Sequence, residues 1–456
     1  MRRTLPETVV DFLSFSSKVC DRNNVPKANA FKKFRQPEWN YTLRWLDDAG
    51  LALYFLRKLK DTSATGMVPA SVVSRLERSL AANQRRVAHM ATQFRSLNQR
   101  FDAAGVKYVA VKGLSLVPQF CPDASLRHQS DLDYLVDDQS LTVAQRILGE
   151  AGYSLKASST QEFIFLMPFA RVASLDVQYE ADAPYSVELH LGFWDSDFHG
   201  MCLSGPRFSV DHARIHELQG ATFPTLPEED AFLLQVIHAF HHVLSGWVRL
   251  SWLYEIGHFL KQLATDSFLW DCVERRVGDD PLLREIVVVV IELVAQLFGA
   301  PLPSALRVWA EDLRPTVRIW IQNYARTWVF GENRIDQFSL CPTAKLVLFL
   351  HQQYASDTKA QRQLIRSRLL PSTRLFRIAG SIRSQPSTVL STRWRQRERV
   401  FRRTLFHVTA GLRYLWEIPR WRRLNRGTAN LALSSRHDSA APDLTNAQSP
   451  ESTIRS

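Results

Sequence analysis

The chain has 456 residues, 45% of them hydrophobic and 22% charged, enough to bury at least one large core, which excludes a disordered chain or a disulfide-stapled miniprotein. Its 57 basic against 45 acidic side chains leave a formal net charge of +12, a balance that suits a polyanionic partner such as nucleotide, nucleic acid or acidic lipid. Cys20, Cys121, Cys202, Cys272 and Cys341 form no CxxC pair, so neither a disulfide framework nor a zinc knuckle is expected, and a reducing cytoplasm is the plain reading.

The opening MRRTLPETVVDFLSF meets Pro6 and Glu7 before an apolar run develops, which makes it a poor secretory signal. Residues 1–100 form the expected N-terminal helical segment. Tyr41, Leu43, Trp45, Leu46, Leu51 and Leu53 recur near helical spacing, and a second run from Val72 to Phe101 has little Gly or Pro. The pattern changes at Gly105. VKYVAVKG reads as a short strand ending in glycine, followed by a helical LSLVPQF and the polar loop CPDASLRHQS.

DLDYLV reads as the next strand, and Asp137 and Asp138 cap a helix that Gly152 stops. From Phe163 to Trp194 the sequence favours strands: FIFLM, SLDVQYE and YSVELHLGFW. The expected class is therefore α+β, a small mixed-sheet core at 101–204 flanked by helical segments. After Pro206 the chain is expected to be helical, with a helical domain over 205–360. Its most apolar stretch, Ile286 to Phe298, falls short of the roughly 20 residues a membrane span requires and reads as a buried helix.

Residues 361–426 read as an arginine-rich amphipathic helical segment, holding 17 arginines, no lysine, and only Glu398 and Glu417 as acids. Aromatic and aliphatic residues interleave with the arginines, which suits an anionic membrane surface, a solvated helical face or, third, RNA. The tail 427–456 lacks apolar periodicity and is expected to be disordered.

Chemistry concentrates at Ser130-Asp131-Leu132-Asp133. A strand has a side-chain period of two, so Asp131 and Asp133 share one face, where two adjacent carboxylates call for a proton or a divalent cation. Glu188, in Val187-Glu188-Leu189-His190, is the candidate third carboxylate, with Asp176 as its competitor. His190 shares the face of Glu188 and either orients a ligand or fills the sheet. His238 and His242 have the spacing of helical zinc ligands, but no HExxH or nearby cysteine supports them, and they read as packed histidines. Trp247, Trp252 and Tyr254 read as core.

Lys112-Gly113, Arg127, Ser130-Asp131-Leu132-Asp133, Ala151-Gly152-Tyr153 and Glu188-Leu189-His190, taken in order, resemble the uncharacterised nucleotidyltransferase family of the polymerase β-like superfamily. The resemblance covers roughly residues 40 to 265, including Trp247-Val248-Arg249-Leu250-Ser251-Trp252-Leu253. It implies a nucleotidyltransferase fold in which Asp131, Asp133 and Glu188 are the catalytic and metal residues. Two magnesium ions are implied with them. Lys112, Gly113, Ser115, Arg127 and Ser130 are the implied nucleotide-binding residues.

The implied reaction moves a nucleoside monophosphate from an NTP to a hydroxyl-bearing acceptor that these motifs do not identify: a small molecule, sugar or protein. Many superfamily members have Gly-Ser at the phosphate-binding turn, whereas Leu114 follows Gly113 here. That departure motivates the alternative, an inactive nucleotidyltransferase-like binding module tethered to anionic membrane or RNA by residues 361–426. The expected location is then cytoplasmic, peripheral to a membrane under the tethered reading.

Overall fold

The computed structural model describes residues 3–15, 28–167, 179–181, 183–194, 201, 203, 208–218, 220–331, 344–369, 401 and 404–426. The expected tail at 427–456, Asp176 and most of the SLDVQYE strand lie outside these, as do residues 370–400 of the arginine-rich segment.

Helix α1 (Leu5–Leu13) begins with a reciprocal cap, Thr4 N–H donating to Glu7 and Glu7 N–H donating to the Thr4 hydroxyl. Its Phe12 packs edge-on against Phe31 and Phe55 at 5.3 and 6.0 Å, burying the first turns in the same core as α2 (Gln36–Ala49) and α3 (Ala52–Asp61). Helix α4 (Ala70–Ala103) runs 34 residues, as its freedom from Gly and Pro allows, and buries Leu76, Val87, Met90, Phe94, Leu97 and Phe101 along one side.

The strands are β1 (Tyr108–Val111), β2 (Asp131–Val136), β3 (Ser154–Ser158), β4 (Glu162–Leu166), β5 (Ser186–His190), β6 (Arg214–Leu218) and β7 (Ala221–Thr225). They form one mixed sheet in the order β3-β4-β5-β2-β1-β7-β6, so the α+β class expected from the sequence is the one found. Helix α5 (Asp138–Glu150) follows β2, its first turn capped by Asp137, which accepts the Ser140 N–H at 2.7 Å.

Tyr134 points from β2 towards α4, stacking on Phe94 at 5.7 Å and donating its hydroxyl to Asn98 at 3.0 Å. Asp131 and Asp133 therefore face the other way. On that opposite face Val109, Val111 and Leu135 are covered by Leu226 and Leu234, which leaves only the carboxylate end of β2 open.

The chain does not turn helical directly after Pro206. The hairpin β6–β7 comes first, and β7 joins the sheet by parallel pairing of Thr225 with Ala110. Its Arg, His, Glu and Thr side chains leave no apolar alternation to read. Then come α6 (Glu228–Ser245), α7 (Leu250–Leu263), α8 (Ser267–Val277) and α9 (Pro281–Phe298). Gly246, left-handed at φ 90°, breaks α6 from α7. Helix α9 has 0–1% exposure from Ile286 to Val294 apart from Glu292, the buried helix expected. Shorter helices follow to residue 369, and residues 404–426 are helical. No described helix is long and apolar enough to cross a membrane.

Candidate active site

Parallel pairing of β2 with β5 sets Asp131 beside Ser186, Asp133 beside Glu188 and Leu135 beside His190. Register and pleat thus bring Asp131, Asp133, Glu188 and His190 to one face. Ligand atoms of Asp133, Glu188 and His190 all lie within 4.8 Å of one another, the one such group of acids, histidines or cysteines among the described residues. His190, which strand spacing alone left undecided, is part of the cluster. Asp131 sits at its edge, taking the Ser130 hydroxyl at 3.2 Å.

Lys112 enters from the end of β1. Its Nζ lies 2.9 Å from Asp133 Oδ1, which His190 Nε2 also approaches to 3.0 Å. The other Asp133 oxygen, Oδ2, is buried without a hydrogen-bond partner, and Ser186 donates to Glu188 Oε1 at 2.9 Å. Burial opposes charge on Lys112, but Asp133, Glu188 and Asp131 overcome it and hold the ammonium above the usual lysine range.

For Asp133 burial opposes ionisation, yet Lys112 and the His190 hydrogen bond hold the carboxyl below its usual range. Burial and then the Asp133 charge push Asp131 up, and burial, Asp133 and Asp131 push Glu188 well up. Three carboxylates against one lysine leave the cluster short of positive charge. A divalent cation would meet both that deficit and the orphaned Oδ2, so these residues fit a metal. Asp133, Glu188 and His190 are the residues whose ligand atoms come together, and the His190 nitrogen is already engaged with Asp133 Oδ1.

The turn after β1 is built tightly. Lys112 and Gly113 both have positive φ, 57° and 52°, and a Cβ on Gly113 would sit 2.3 Å from Gln129 Nε2, whose amide donates to the Asp131 carbonyl at 2.8 Å. Gly113→Ala is expected to destabilise by about 1–3 kcal/mol, the range for backbone forced into a disfavoured region, and to weaken cation binding by displacing Gln129 from Asp131. Denaturant unfolding and calorimetric titration of the variant check both effects. Ser115 does not line the cleft, because its hydroxyl donates within the turn to the Lys112 carbonyl at 2.8 Å.

Arg127 lines the cleft but its guanidinium is 3.3 Å from the Glu255 carboxylate of α7, so its ion partner is neither Asp131 nor Asp133. Glu255 in turn accepts from Tyr54 at 2.8 Å, and burial raises the neighbouring Cys121 thiol to about 12, leaving it inert. Arg249, in the link between α6 and α7, reaches His128 Nδ1 at 3.1 Å and adds a further cation to the wall. Sequence reasoning quoted Arg249 without a role; the helix break at Gly246 just before it was the available signal.

These groups surround a cleft of about 580 Å³, within the roughly 300–1,000 Å³ usual for small-ligand sites. Its far wall is aromatic. His242 lies 4.2 Å from Trp247 and 4.6 Å from Trp252, ring to ring, and His238 lies 4.5 Å from Trp252. Burial and then the positive charge of Lys112 hold His238 well below the usual imidazole range. Trp247 and Trp252 are half-buried and line the cleft, Trp252 also packing against the main core, a distinction helical spacing cannot make. His238 and His242 share ring contacts with each other and with Trp252 and belong to no ligand group of three among the described residues.

A family model described as uncharacterised nucleotidyltransferase matches residues 35–299, more than half the chain. The chain belongs to the uncharacterised nucleotidyltransferase family. The match runs from α2 to the end of α9, so this nucleotidyltransferase family member has its whole sheet, the carboxylate cluster and the aromatic wall inside the matched region. No curated protein matches the chain.

Proposed function

We propose that the protein is a magnesium-dependent nucleotidyltransferase that moves a nucleoside monophosphate from an NTP to a hydroxyl-bearing acceptor. The observation that carries this reading is the register of β2 on β5, which aligns Asp133 with Glu188 beside a carboxylate oxygen that lacks a partner. Asp131, Asp133 and Glu188 would hold magnesium, which would supply charge to neutralise the triphosphate and acidify the acceptor hydroxyl. Lys112 and Arg249 bind phosphate oxygens, with Ser130 at the cleft edge beside them. Trp247, Trp252 and His242 offer a face on which the nucleobase stacks.

The acceptor oxygen forms its bond to the α-phosphorus as the bond to the bridging oxygen of the β-phosphate breaks. Pyrophosphate leaves with that electron pair. The acceptor's hydroxyl proton passes to solvent through the open side of the cleft that Glu188 lines.

A second reading, a fold kept for binding with its chemistry lost, draws on one observation: the Lys112 ammonium already sits on Asp133 Oδ1. Calorimetry with ATP, GTP, CTP and UTP separates the two. The catalytic reading expects NTP binding that requires magnesium, pyrophosphate release once an acceptor is supplied, and a Lys112→Met variant whose NTP affinity falls about tenfold while its magnesium affinity does not fall. Metal-independent NTP binding, unchanged in Lys112→Met, would overturn it.

A further inference from the structure

Away from the cleft, the helix at 404–426 lies on the helical region in a fixed orientation. Tyr414 and Trp421 stack on Phe349 at 4.7 and 4.9 Å, Gln352 donates to the Tyr414 hydroxyl at 2.7 Å, and Tyr324 donates to Glu417 at 3.3 Å. These contacts commit one side of the helix to the core. The opposite side holds Leu405, Val408, Leu412, Leu415 and Trp416, each at least 52% exposed and Trp416 84% exposed. Spacings of three and four from Leu405 to Leu415, with Trp416 beside the last, draw one apolar stripe about 16 Å long at 1.5 Å per residue.

The charges around this stripe have one sign. Arg413, Arg422, Arg423 and Arg426 are exposed, while Arg420 lies over the Tyr324 ring at 5.7 Å beside Glu417, the one acid in 404–426, which is turned inward to Tyr324. Large apolar side chains facing water in a row mark a binding surface rather than ordinary surface composition. An occupant has to accept Leu, Val and Trp on the stripe and anionic groups beside it.

We infer that this face docks on an anionic phospholipid bilayer, the helix lying in the plane of the interface with its stripe in the acyl boundary and its arginines on lipid phosphates. Trp416 is suited to the headgroup level, and the arginines reach phosphates over their own alkyl stems. A second copy of the chain fits poorly, because two such helices face to face would oppose arginine to arginine. RNA fits poorly as well, because Leu405, Val408, Leu412 and Leu415 have no aromatic face on which bases stack. The 17 arginines against two acids over residues 362–426 extend the same sign along the chain. This surface stands apart from the cleft and does not depend on its chemistry.

Co-sedimentation of the full chain with vesicles of phosphatidylcholine alone, or of phosphatidylcholine and phosphatidylglycerol in equal parts, tests the inference. Binding is expected to be at least about tenfold tighter to the anionic vesicles and to weaken as salt rises. Leu412→Ser/Trp416→Ser and, separately, Leu405→Ser/Val408→Ser should each lower it about tenfold or more with thermal melting unchanged, since all four side chains are exposed. Arg422→Gln/Arg423→Gln should lower anionic binding by about tenfold while reducing its salt dependence. Equal binding to both vesicles, binding of single-stranded RNA without vesicle binding, or a dimer that Trp416→Ser dissociates would each overturn it.

Discussion

Asp133→Asn should abolish cation binding at the carboxylate cluster and lower nucleotidyl transfer by about 10²–10³-fold or more, the scale for removing a charge-stabilising group from a dry site. The substitution is nearly isosteric. One amide oxygen can still accept from Lys112 Nζ and His190 Nε2, which lie 2.9 and 3.0 Å from Asp133 Oδ1. The amide nitrogen then takes the place of Oδ2, the oxygen with no hydrogen-bond partner, and turns the one open acceptor of this buried side chain into a donor aimed where a cation would sit. The expected result is therefore lost function in a folded chain.

Asp131→Asn should be milder, because Asp131 lies at the edge of the cluster beside Ser130 and within the field of Lys112, Arg127 and Arg249. Calorimetric titration with manganese or magnesium measures both variants, and circular dichroism reports the fold. Unchanged cation affinity in Asp133→Asn would remove Asp133 from the site.

The pleat and the short strand around Asp131 and Asp133 make this pair legible in the sequence, and Glu188 follows from the family resemblance, because both are local patterns. What joins them is not local. That Asp133 pairs with Glu188 in parallel register, and that His190 thereby reaches Asp133, depends on β5 docking beside β2 across 49 intervening residues.

The same limit explains Trp247 in the α6–α7 link and Trp252 in the first turn of α7: periodicity says that they face inward, not whether inward is core or cleft. Strand β3 reads SLKAS and is exposed throughout, β6 is largely exposed and β7 carries Pro224, so none offers a clear strand pattern to find. Arg127 has the opposite problem. Its position matches a phosphate-binding motif, while its partner Glu255 sits on a helix 128 residues away.

Arg86→Met should cost about 3–5 kcal/mol of stability, because hydrogen bonds from a charged donor are worth about 1.5–3 kcal/mol each and several are lost together. In the sequence Arg86 is one polar residue in a long helix rich in Arg and Gln. In the fold it is 1% exposed. Its Nε donates to the Gln129 carbonyl at 3.0 Å, and its Nη1 donates to the carbonyls of Ala183 and Glu180 at 2.7 and 3.1 Å.

Gln129 lies two residues before β2 and Ala183 three before β5, so one guanidinium ties together the entries to both carboxylate-bearing strands. Asn83, one turn earlier, supports the first entry by donating to the Ser125 and Arg127 carbonyls at 2.7 and 3.0 Å. Methionine keeps the apolar stem and removes every donor, leaving the carbonyls of Gln129, Glu180, Ala183 and Pro184 to find water in a buried place. Arg86→Lys restores charge but not the planar fork, and should recover only part of the loss.

Because the clamp sets where β2 and β5 begin, cation affinity should fall about tenfold in Arg86→Met even where the chain is folded, the lower end of the effect of removing a group that orients ligands. Urea unfolding gives the first quantity and calorimetry at a temperature below the transition gives the second. A variant that unfolds at the wild-type midpoint and binds cation as the wild type does would mean that strand pairing alone aligns the carboxylates, with no contribution from α4.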